Sequence, residues 1–238
     1  MKKIDFQSLI LDETDDYIMV NKPPFLSTLE DRADRTNLQK LAKEYWPEAQ
    51  IAHRLDKETS GVLAIAKNPE AYRSLAMQFE KREVSKVYHA VVAGIHDFNQ
   101  EEINAPIKKL TVGVVRIDKG EGKPSLTRVS TIRTFRRHTL LECRPVTGRM
   151  HQIRVHLSSI GVPIVGDTLY HGAHLYLSEI KPNYNLKKWT EEQPLIKRVA
   201  LHAFQLEFRD LSGHLMKAEA PYPKDFNVIV KQLDKHSL

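Results

Sequence analysis

Residues 62 to 94 constrain the fold more than any other part of the sequence. The run VLAIAK is continuous, apolar and of strand length, and a helical segment follows it at Asn68 and Pro69. Asparagine is a preferred N-cap, and proline is favoured at the first helical position. The segment KVYHAVVAG then returns to β-branched and aromatic residues and ends at Gly94. This order predicts two strands of one sheet, neighbouring or not, joined across a helix.

The segments on either side of this unit predict further strands and helices. Apolar runs flank the acidic turn Asp12 to Asp16 and indicate two strands. Residues 37 to 46 carry apolar side chains at helical spacing. A pair of strands is predicted within residues 126 to 145, and a helix near 150 to 160 that Gly161 ends with a positive φ. Together these elements predict an α+β protein.

Two stretches show little periodicity. Residues 95 to 125 contain Pro106 and Pro124 and predict loops with short strands. Residues 172 to 199 interleave aromatic and basic side chains, namely Tyr176, Tyr184, Trp189, Lys181, Lys187, Lys188, Lys197 and Arg198. Such a segment can stack bases and hold phosphates, or it can be an ordinary solvated loop whose aromatics pack on the core.

The sequence shows no internal repeat and no low-complexity linker. We therefore expect one domain over residues 1 to 238.

Composition limits the class of protein. Apolar residues make up 41% of the 238 residues and charged residues 28%, which argues against a disordered chain and against a disulfide scaffold. No apolar run approaches the roughly 18 residues that span a bilayer, and the first residues lack the apolar core of a signal peptide. We therefore expect a cytoplasmic protein with no membrane partner. The net charge of +6 is compatible with a polyanionic partner.

The single cysteine, Cys143, cannot form an internal disulfide. It lies in the alternating segment TLLECRP, where a buried strand thiol is the simplest interpretation.

The segment HRLDKETSG places a lone carboxylate, Asp56, on a loop at the entry of the predicted strand VLAIAK. Loops held by a rigid sheet are where reactive groups concentrate. The alternative is that Asp56 only caps the turn formed with Thr59 and Ser60. His53 and Arg54 could bind a phosphate or a base, and two basic groups would also keep a nearby carboxylate ionised, the form that a nucleophile needs.

The segment GRMHQIRVHL places basic side chains on one predicted helix. Arg154 lies at the margin of the buried stripe, where a half-buried guanidinium requires an anion, unless it is a surface arginine whose stem covers apolar residues. His151 and His156 are five residues apart, on poorly matched helical faces, and no third ligand is evident. We therefore expect no metal site.

Four segments in this order resemble the RluA-type family of RNA pseudouridine synthases: HRLDKETSG, KVYHAVV, GRMHQIRVHLSSIGVPIVGD and LHAFQLEF. The likeness runs from NKPP at residue 21 to PYPKDF, which ends at residue 226, and so covers nearly the whole chain. HRLDxxTSG and GRxHQIRxHL are its specific parts. The resemblance implies the pseudouridine synthase fold, a mixed, largely antiparallel central sheet with flanking helices and a central active-site cleft.

The resemblance also implies roles for individual residues. The aspartate of HRLD, the family's catalytic nucleophile, is Asp56 here, and the tyrosine of the KxYxA strand is Tyr88. The second arginine of GRxHQIR is Arg154, which would pair with Asp56 and lower its pKa. The family's arginine beside the nucleophile, implicated in opening the RNA around the target base, is Arg54. The residues expected to contact RNA are His53, Arg54, Arg149 and His151.

The sequence departs from the family pattern at two positions. Phe25 stands where members often have glycine after NKP, and Ser125 stands in GKPS where alanine is commoner. Both departures bear on local loop shape and not on the chemistry. Only about 20 residues precede NKPP, so the chain resembles the members that lack an N-terminal S4 RNA-binding domain.

Pseudouridine formation fits the absence of cofactor motifs. The reaction breaks the bond from N1 to C1′, turns the base and joins C5 to C1′, so no atom is gained or lost and we expect no cofactor. The segment GEGKPS lacks the spacing of a phosphate-binding P-loop. An essential Asp56 could act at C1′, attack C6 of the base or take the 2′ proton, and the sequence leaves all three routes open. The expected partner is structured ribosomal or transfer RNA, and we expect a monomer.

Two other classes of protein compete with this interpretation. A non-catalytic RNA-binding or ribosome-assembly protein could keep the fold and the basic surface, but it would not need Asp56, Tyr88 and Arg154 together. A metal-dependent hydrolase would use the eleven histidines, but they form no HxH or HExxH group. Both alternatives are less well supported than a pseudouridine synthase.

Overall fold

A computed structural model describes residues 4–30, 36–110, 113–186 and 189–237. Lys187 and Lys188, part of the basic and aromatic stretch, lie outside the described residues. The strands are β1 (Ile10–Glu13), β2 (Tyr17–Lys22), β3 (Ser60–Ala66), β4 (Ser85–Ala93), β5 (Glu101–Asn104), β6 (Ile107–Lys109), β7 (Val115–Ile117), β8 (Leu126–Thr134), β9 (His138–Pro145), β10 (Leu201–Arg209) and β11 (Leu215–Glu219). The helices are α1 (Leu38–Tyr45), α2 (Pro69–Lys81), α3 (Gln152–Ser159), α4 (Leu177–Ile180) and α5 (Lys224–Lys235).

The chain divides into two compact units. Unit 1 comprises Met1–Val87 and Ala203–Pro221, and unit 2 comprises Tyr88–His202 and Tyr222–Leu238. The expectation of one catalytic domain over residues 1 to 238 stays a prediction.

Unit 1 is built on the strand order β1-β2-β3-β10-β11. The pairs β1/β2, β2/β3 and β10/β11 are antiparallel, and β2 pairs with β3 from Tyr17 opposite Ala66 to Lys22 opposite Gly61. Every residue of β3 is buried, as its continuous apolar run predicts. Helix α2 packs against this strand.

Both longer helices of unit 1 begin where the sequence predicts. The side chain of Asn37 caps α1 by accepting from the Lys40 amide, and Asn68 caps α2 by accepting from the Ala71 amide. Pro69 is the first residue of α2. Each cap satisfies one amide that has no partner within its helix.

Gly61 explains why the Asp56 loop ends in TSG. Its φ is +120°, and a Cβ at this position would lie 2.1 Å from the carbonyl oxygen of Ala203. Only glycine allows β3 to approach the β10 backbone so closely.

Unit 2 contains the strand order β4-β9-β8-β5 and a separate β6/β7 hairpin, and all of these pairings are antiparallel. Its core includes β4, β9 and the buried face of α5, where Phe226 and Ile229 lie. Cys143 is fully buried in β9, so the predicted strand thiol is confirmed. Helix α3 ends before Gly161, whose φ of +76° also agrees with the prediction.

The predicted α+β class, with a largely antiparallel sheet, is confirmed. Residues 95 to 125 contain only the short strands β5, β6 and β7 among loops, as expected. Residues 172 to 199 contain α4, with the described remainder irregular. Among the helices in the described part of the chain, none is long and apolar enough to cross a membrane.

Candidate active site

The loop that carries Asp56 is anchored through the backbone of its two neighbours. The Thr28 hydroxyl donates to the Leu55 carbonyl at 2.8 Å and accepts from the Leu55 amide at 3.2 Å. On the other side, the Phe25 amide donates to the Lys57 carbonyl at 2.8 Å. Leu55 is itself buried, as expected for the residue that anchors the loop. Main-chain hydrogen bonds on both sides of Asp56 therefore hold the loop in place.

Lys22 connects the NKPP segment to this loop. Its side chain is fully buried, and its Nζ donates to the carbonyls of Pro23, Leu26 and Lys57 at 3.1, 2.8 and 3.2 Å. A buried ammonium is stable only when its donors are satisfied, and three carbonyls match its three N–H groups. Sequence reasoning missed Lys22, although a lysine that ends a buried strand directly before two prolines was a detectable signal.

A backbone hydrogen bond closes the turn after Asp56. The Thr59 amide donates to the carbonyl oxygen of Asp56 at 3.0 Å. This bond joins main-chain atoms, so it closes the turn without using the Asp56 carboxylate. The Thr59 hydroxyl is buried and has no hydrogen-bond partner within the described part of the chain.

His53 does not supply the positive charge that the sequence predicts beside Asp56. Its Nε2 accepts from the Ala64 amide at 3.0 Å, and its ring stacks on Phe79 with centroids 4.3 Å apart. Burial, with a smaller contribution from the charge of Lys86, lowers the pKa of His53 from 6.5 to about 3. The expectation of two charged groups was therefore wrong, because an imidazole that packs on an aromatic ring and accepts a hydrogen bond from a backbone amide is disfavoured in its charged form.

Arg54 is exposed and lies two residues before Asp56 in the sequence. The roles of His53 and Arg54 in contacting RNA stay predictions.

Tyr88 lies in unit 2, on β4, opposite Cys143 of β9. It is partly buried and packs against the core of that unit. The next residue, His89, is buried, and its Nδ1 lies 2.6 Å from the Tyr222 hydroxyl. Strand alternation thus places Tyr88 and His89 on opposite faces of the sheet.

Arg154 lies in α3 and is held by Asp167. Its Nε and Nη2 donate to the two carboxylate oxygens at 2.7 and 2.6 Å, a bidentate pair in which both side chains are buried. The guanidinium also lies 5.0 Å from the centre of the Tyr170 ring. The expectation that Arg154 requires an anion is confirmed, and Arg154 is more deeply buried than the sequence predicts. Its pairing with Asp56 stays a prediction.

Asp167 and Tyr170 were missed as site residues. Asp167 follows the apolar run VPIV and a glycine, a position typical of a turn. It is the last residue of the family segment that also contains Arg154, which was an available signal, although the segment does not show that the two side chains pair. The Tyr170 hydroxyl lies 3.0 Å from Nδ1 of His151 and accepts from the Val115 amide. Tyr170 therefore links the α3 segment to the β6/β7 hairpin.

Gln152 shapes the turn that precedes α3. Its Oε1 accepts from the Thr147 hydroxyl and from the Arg149 amide, while its Nε2 donates to the Leu126 carbonyl and the Thr127 hydroxyl. These bonds fasten the start of the helix to β8. Sequence reasoning assigned no role to Gln152. Its burial accounts for its four hydrogen bonds, because a buried amide needs partners for both its oxygen and its nitrogen.

Arg149 and His151 lie at the same turn and differ in their partners. Nε of Arg149 is buried and has no hydrogen-bond partner within the described part of the chain. His151 has a φ of +50° and its ring contacts Tyr170. The roles of Arg149 and His151 as RNA contacts stay predictions.

Both ring nitrogens of His156 have hydrogen-bond partners within unit 2. Its Nδ1 lies 2.9 Å from the Thr127 hydroxyl, and its Nε2 lies 2.9 Å from the Ala105 carbonyl. Burial lowers its pKa. Both ring nitrogens therefore serve the packing of α3 on its neighbours.

The departure at Ser125 has a local explanation. Its buried hydroxyl donates to the Lys123 carbonyl at 2.8 Å, so the extra oxygen relative to alanine is satisfied within the loop.

Comparison with known proteins identifies a set of curated relatives. The chain is 39% identical over 193 residues to a protein of Xanthomonas campestris pv. campestris named ribosomal large subunit pseudouridine synthase D, covering 80% of this chain and 56% of the relative. It is 33% identical over 236 residues to the protein of the same name from Haemophilus ducreyi, covering 94% of this chain and 70% of that relative. The chain thus spans little more than half the length of the first of these relatives.

Solved structures show the same fold. Human RNA pseudouridylate synthase domain containing 1 is 27% identical, with a TM-score of 0.67 over 94% of this chain and 87% of its own. Human RNA pseudouridylate synthase domain containing 4 has a TM-score of 0.71 over 96% and 95% of the two chains, and at 22% identity it supports the fold alone. The family described as RNA pseudouridylate synthase matches residues 16–159. The chain therefore belongs to the RNA pseudouridylate synthase family.

Proposed function

We propose that this protein isomerises specific uridines in ribosomal or transfer RNA to pseudouridine, with Asp56 as the essential carboxylate and without a cofactor. Relatives that share 33 to 39% identity are named ribosomal large subunit pseudouridine synthases, which favours ribosomal RNA as the substrate class. A monomeric state and a cytoplasmic location stay predictions.

The observation that carries the proposal is the way the Asp56 loop is held. Thr28 fixes the residue before Asp56, and Lys22 and Phe25 fix the residue after it, all through main-chain atoms. A carboxylate that only closed a turn would not need anchors on both sides. Catalysis does need them, because a reactive group must be held close to one geometry when the substrate arrives.

The chemistry requires a carboxylate near the ribose or the base. The bond from N1 to C1′ breaks, N1 gains a proton, the base turns, C5 joins C1′, and the proton on C5 leaves. A carboxylate can stabilise or trap positive charge at C1′, as in glycosidases. Attack on C6 of the base and removal of the 2′ proton also use a carboxylate, so Asp56 is essential in each of the three routes.

The remaining residues would position the substrate and the carboxylate. A uridine within stacked RNA must be flipped out before it reaches the Asp56 carboxylate. The side chain of Arg54 would then fill the space that the flipped base leaves in the stack. Tyr88 would stack on the flipped base and help remove the C5 proton. Arg154, whose guanidinium is oriented by Asp167, would pair with Asp56 and lower its pKa. Arg149, His53 and His151 are further proposed contacts to the RNA.

The test is the substitution Asp56→Asn. This variant should fold and bind RNA, but it should form no pseudouridine when reacted RNA is assayed by mass spectrometry or carbodiimide mapping. The matched control is Asp15→Asn, which removes an exposed carboxylate from the same unit and should leave turnover unchanged. Unimpaired turnover by Asp56→Asn would refute the proposal.

A further inference from the structure

Phe25 adopts a backbone conformation that a phenylalanine rarely occupies. Its φ is +65°, in the left-handed region where a Cβ crowds the following carbonyl and which glycine enters without strain. A bulky aromatic residue here is strained unless its surroundings impose the conformation.

Hydrogen bonds to the Asp56 loop impose that conformation. The Phe25 amide donates to the Lys57 carbonyl at 2.8 Å. Nζ of Lys22 donates hydrogen bonds to the carbonyls of Pro23 and Leu26, so the backbone is fixed on both sides of Phe25. The backbone from which the Phe25 side chain projects is therefore held in place next to the loop.

Neither the backbone nor the core favours phenylalanine at this position. The backbone conformation would suit glycine. Phe25 is 52% exposed, so the ring contributes only part of the stabilisation that a fully buried phenylalanine side chain would give. The exposed residues Arg54 and Lys57 lie on the loop to which Phe25 is bonded. An aromatic ring beside cationic side chains is the combination with which proteins stack unpaired bases and hold the adjoining backbone.

We propose that Phe25 is a substrate-positioning residue whose ring stacks on an RNA base that flanks the flipped uridine. The inference rests on the proposed function, because it assumes an RNA substrate in which flipping leaves the neighbouring bases without a stacking partner. Because the backbone of Phe25 is already ordered, only its side-chain torsions are fixed when the ring stacks, so the entropic cost of stacking is small.

The experiment compares Phe25→Gly with Phe25→Trp. Unfolding by denaturant, affinity for a large-subunit ribosomal RNA transcript, and kcat and KM for pseudouridine formation are measured for each. Phe25→Gly should be at least as stable as the parent, because the strain is removed, yet its RNA affinity should fall roughly 5- to 150-fold, with a matching rise in KM. Phe25→Trp should retain the affinity.

The control is Gln100→Gly, which relieves a positive φ of +54° at an exposed, uncharged position in unit 2. It should change neither affinity nor KM. Unchanged RNA affinity in Phe25→Gly would overturn the inference, as would a loss of stability of the size seen for core residues, which would make Phe25 a packing residue. Failure of the proposed function is separate, because parent protein would then form no pseudouridine, while the affinity measurement would still test the stacking.

Discussion

The loop that carries Asp56 and the helix that carries Arg154 are held in place by different chemistry. In unit 1, the anchors act on main-chain atoms of Leu55 and Lys57, and one of them is a buried ammonium among neutral carbonyls. In unit 2, the anchor acts on the functional group itself, since Asp167 binds the guanidinium of Arg154 through both carboxylate oxygens.

This difference matches what each residue is proposed to do. A nucleophile must be held in position while its reactive atoms remain available, and backbone anchors accomplish that. A cation that orients another group needs a defined plane, and a bidentate carboxylate defines the plane of a guanidinium. The comparison predicts that the two anchors differ in their contribution to stability, because breaking an ion pair in the interior leaves an uncompensated charge.

The largest effect is expected for Asp167→Asn. This variant removes the buried carboxylate charge that binds the guanidinium of Arg154 through both oxygens, which should lower the free energy of unfolding by about 3 to 5 kcal/mol. Urea unfolding followed by circular dichroism measures the change. The matched control in unit 2 is Asp234→Asn, which breaks the exposed pair with Arg133 and should cost less than about 1 kcal/mol. Equal losses in the two variants would contradict the importance of burial at Asp167.

A smaller effect is expected for Lys22→Met. The substitution keeps an apolar stem of similar length but leaves three carbonyls without their donor, which should destabilise the protein by about 3 kcal/mol. Turnover should fall as well, because the loop around Asp56 loosens, whereas Lys40→Met at an exposed position should change neither quantity. If Lys22→Met lost stability but kept full turnover, the loop would not need this anchor for catalysis.

The third prediction concerns pH and His53. The pKa of His53 is 6.5 in the unfolded chain and about 3 in the folded protein. Below pH 6.5 the imidazole is therefore protonated in the unfolded chain but stays neutral in the folded protein. The free energy of unfolding should therefore fall by about 2 kcal/mol between pH 6.5 and 5 on account of this group. His53→Gln, which keeps an acceptor for the Ala64 amide, should show a flatter decline over that interval.

The control for His53 is His214→Gln, since His214 is largely exposed. It should follow the parent curve. A parent and a His53→Gln variant that decline in parallel would show that the imidazole is not held neutral in the fold.

Local sequence was enough to predict most of the secondary structure. Helix α2 begins at the predicted cap because Asn68 and Pro69 satisfy the requirements of a helix start by themselves. The run VLAIAK is a strand because its apolar residues must all be buried. Asp56, Tyr88 and Arg154 were found through ordered motifs, which identify residues without describing their surroundings.

The sequence by itself determined the elements, the family and the candidate residues, because caps, apolar periods and motifs are properties of neighbouring positions. Only the tertiary structure decided which groups are charged and what holds them. His53 is neutral because its ring packs on Phe79 and accepts from the Ala64 amide, and Arg154 is paired because α3 brings it to Asp167. Lys22 is an anchor because the turn after β2 meets the loop before β3. Each of these depends on contacts between distant parts of the chain, which no local pattern encodes.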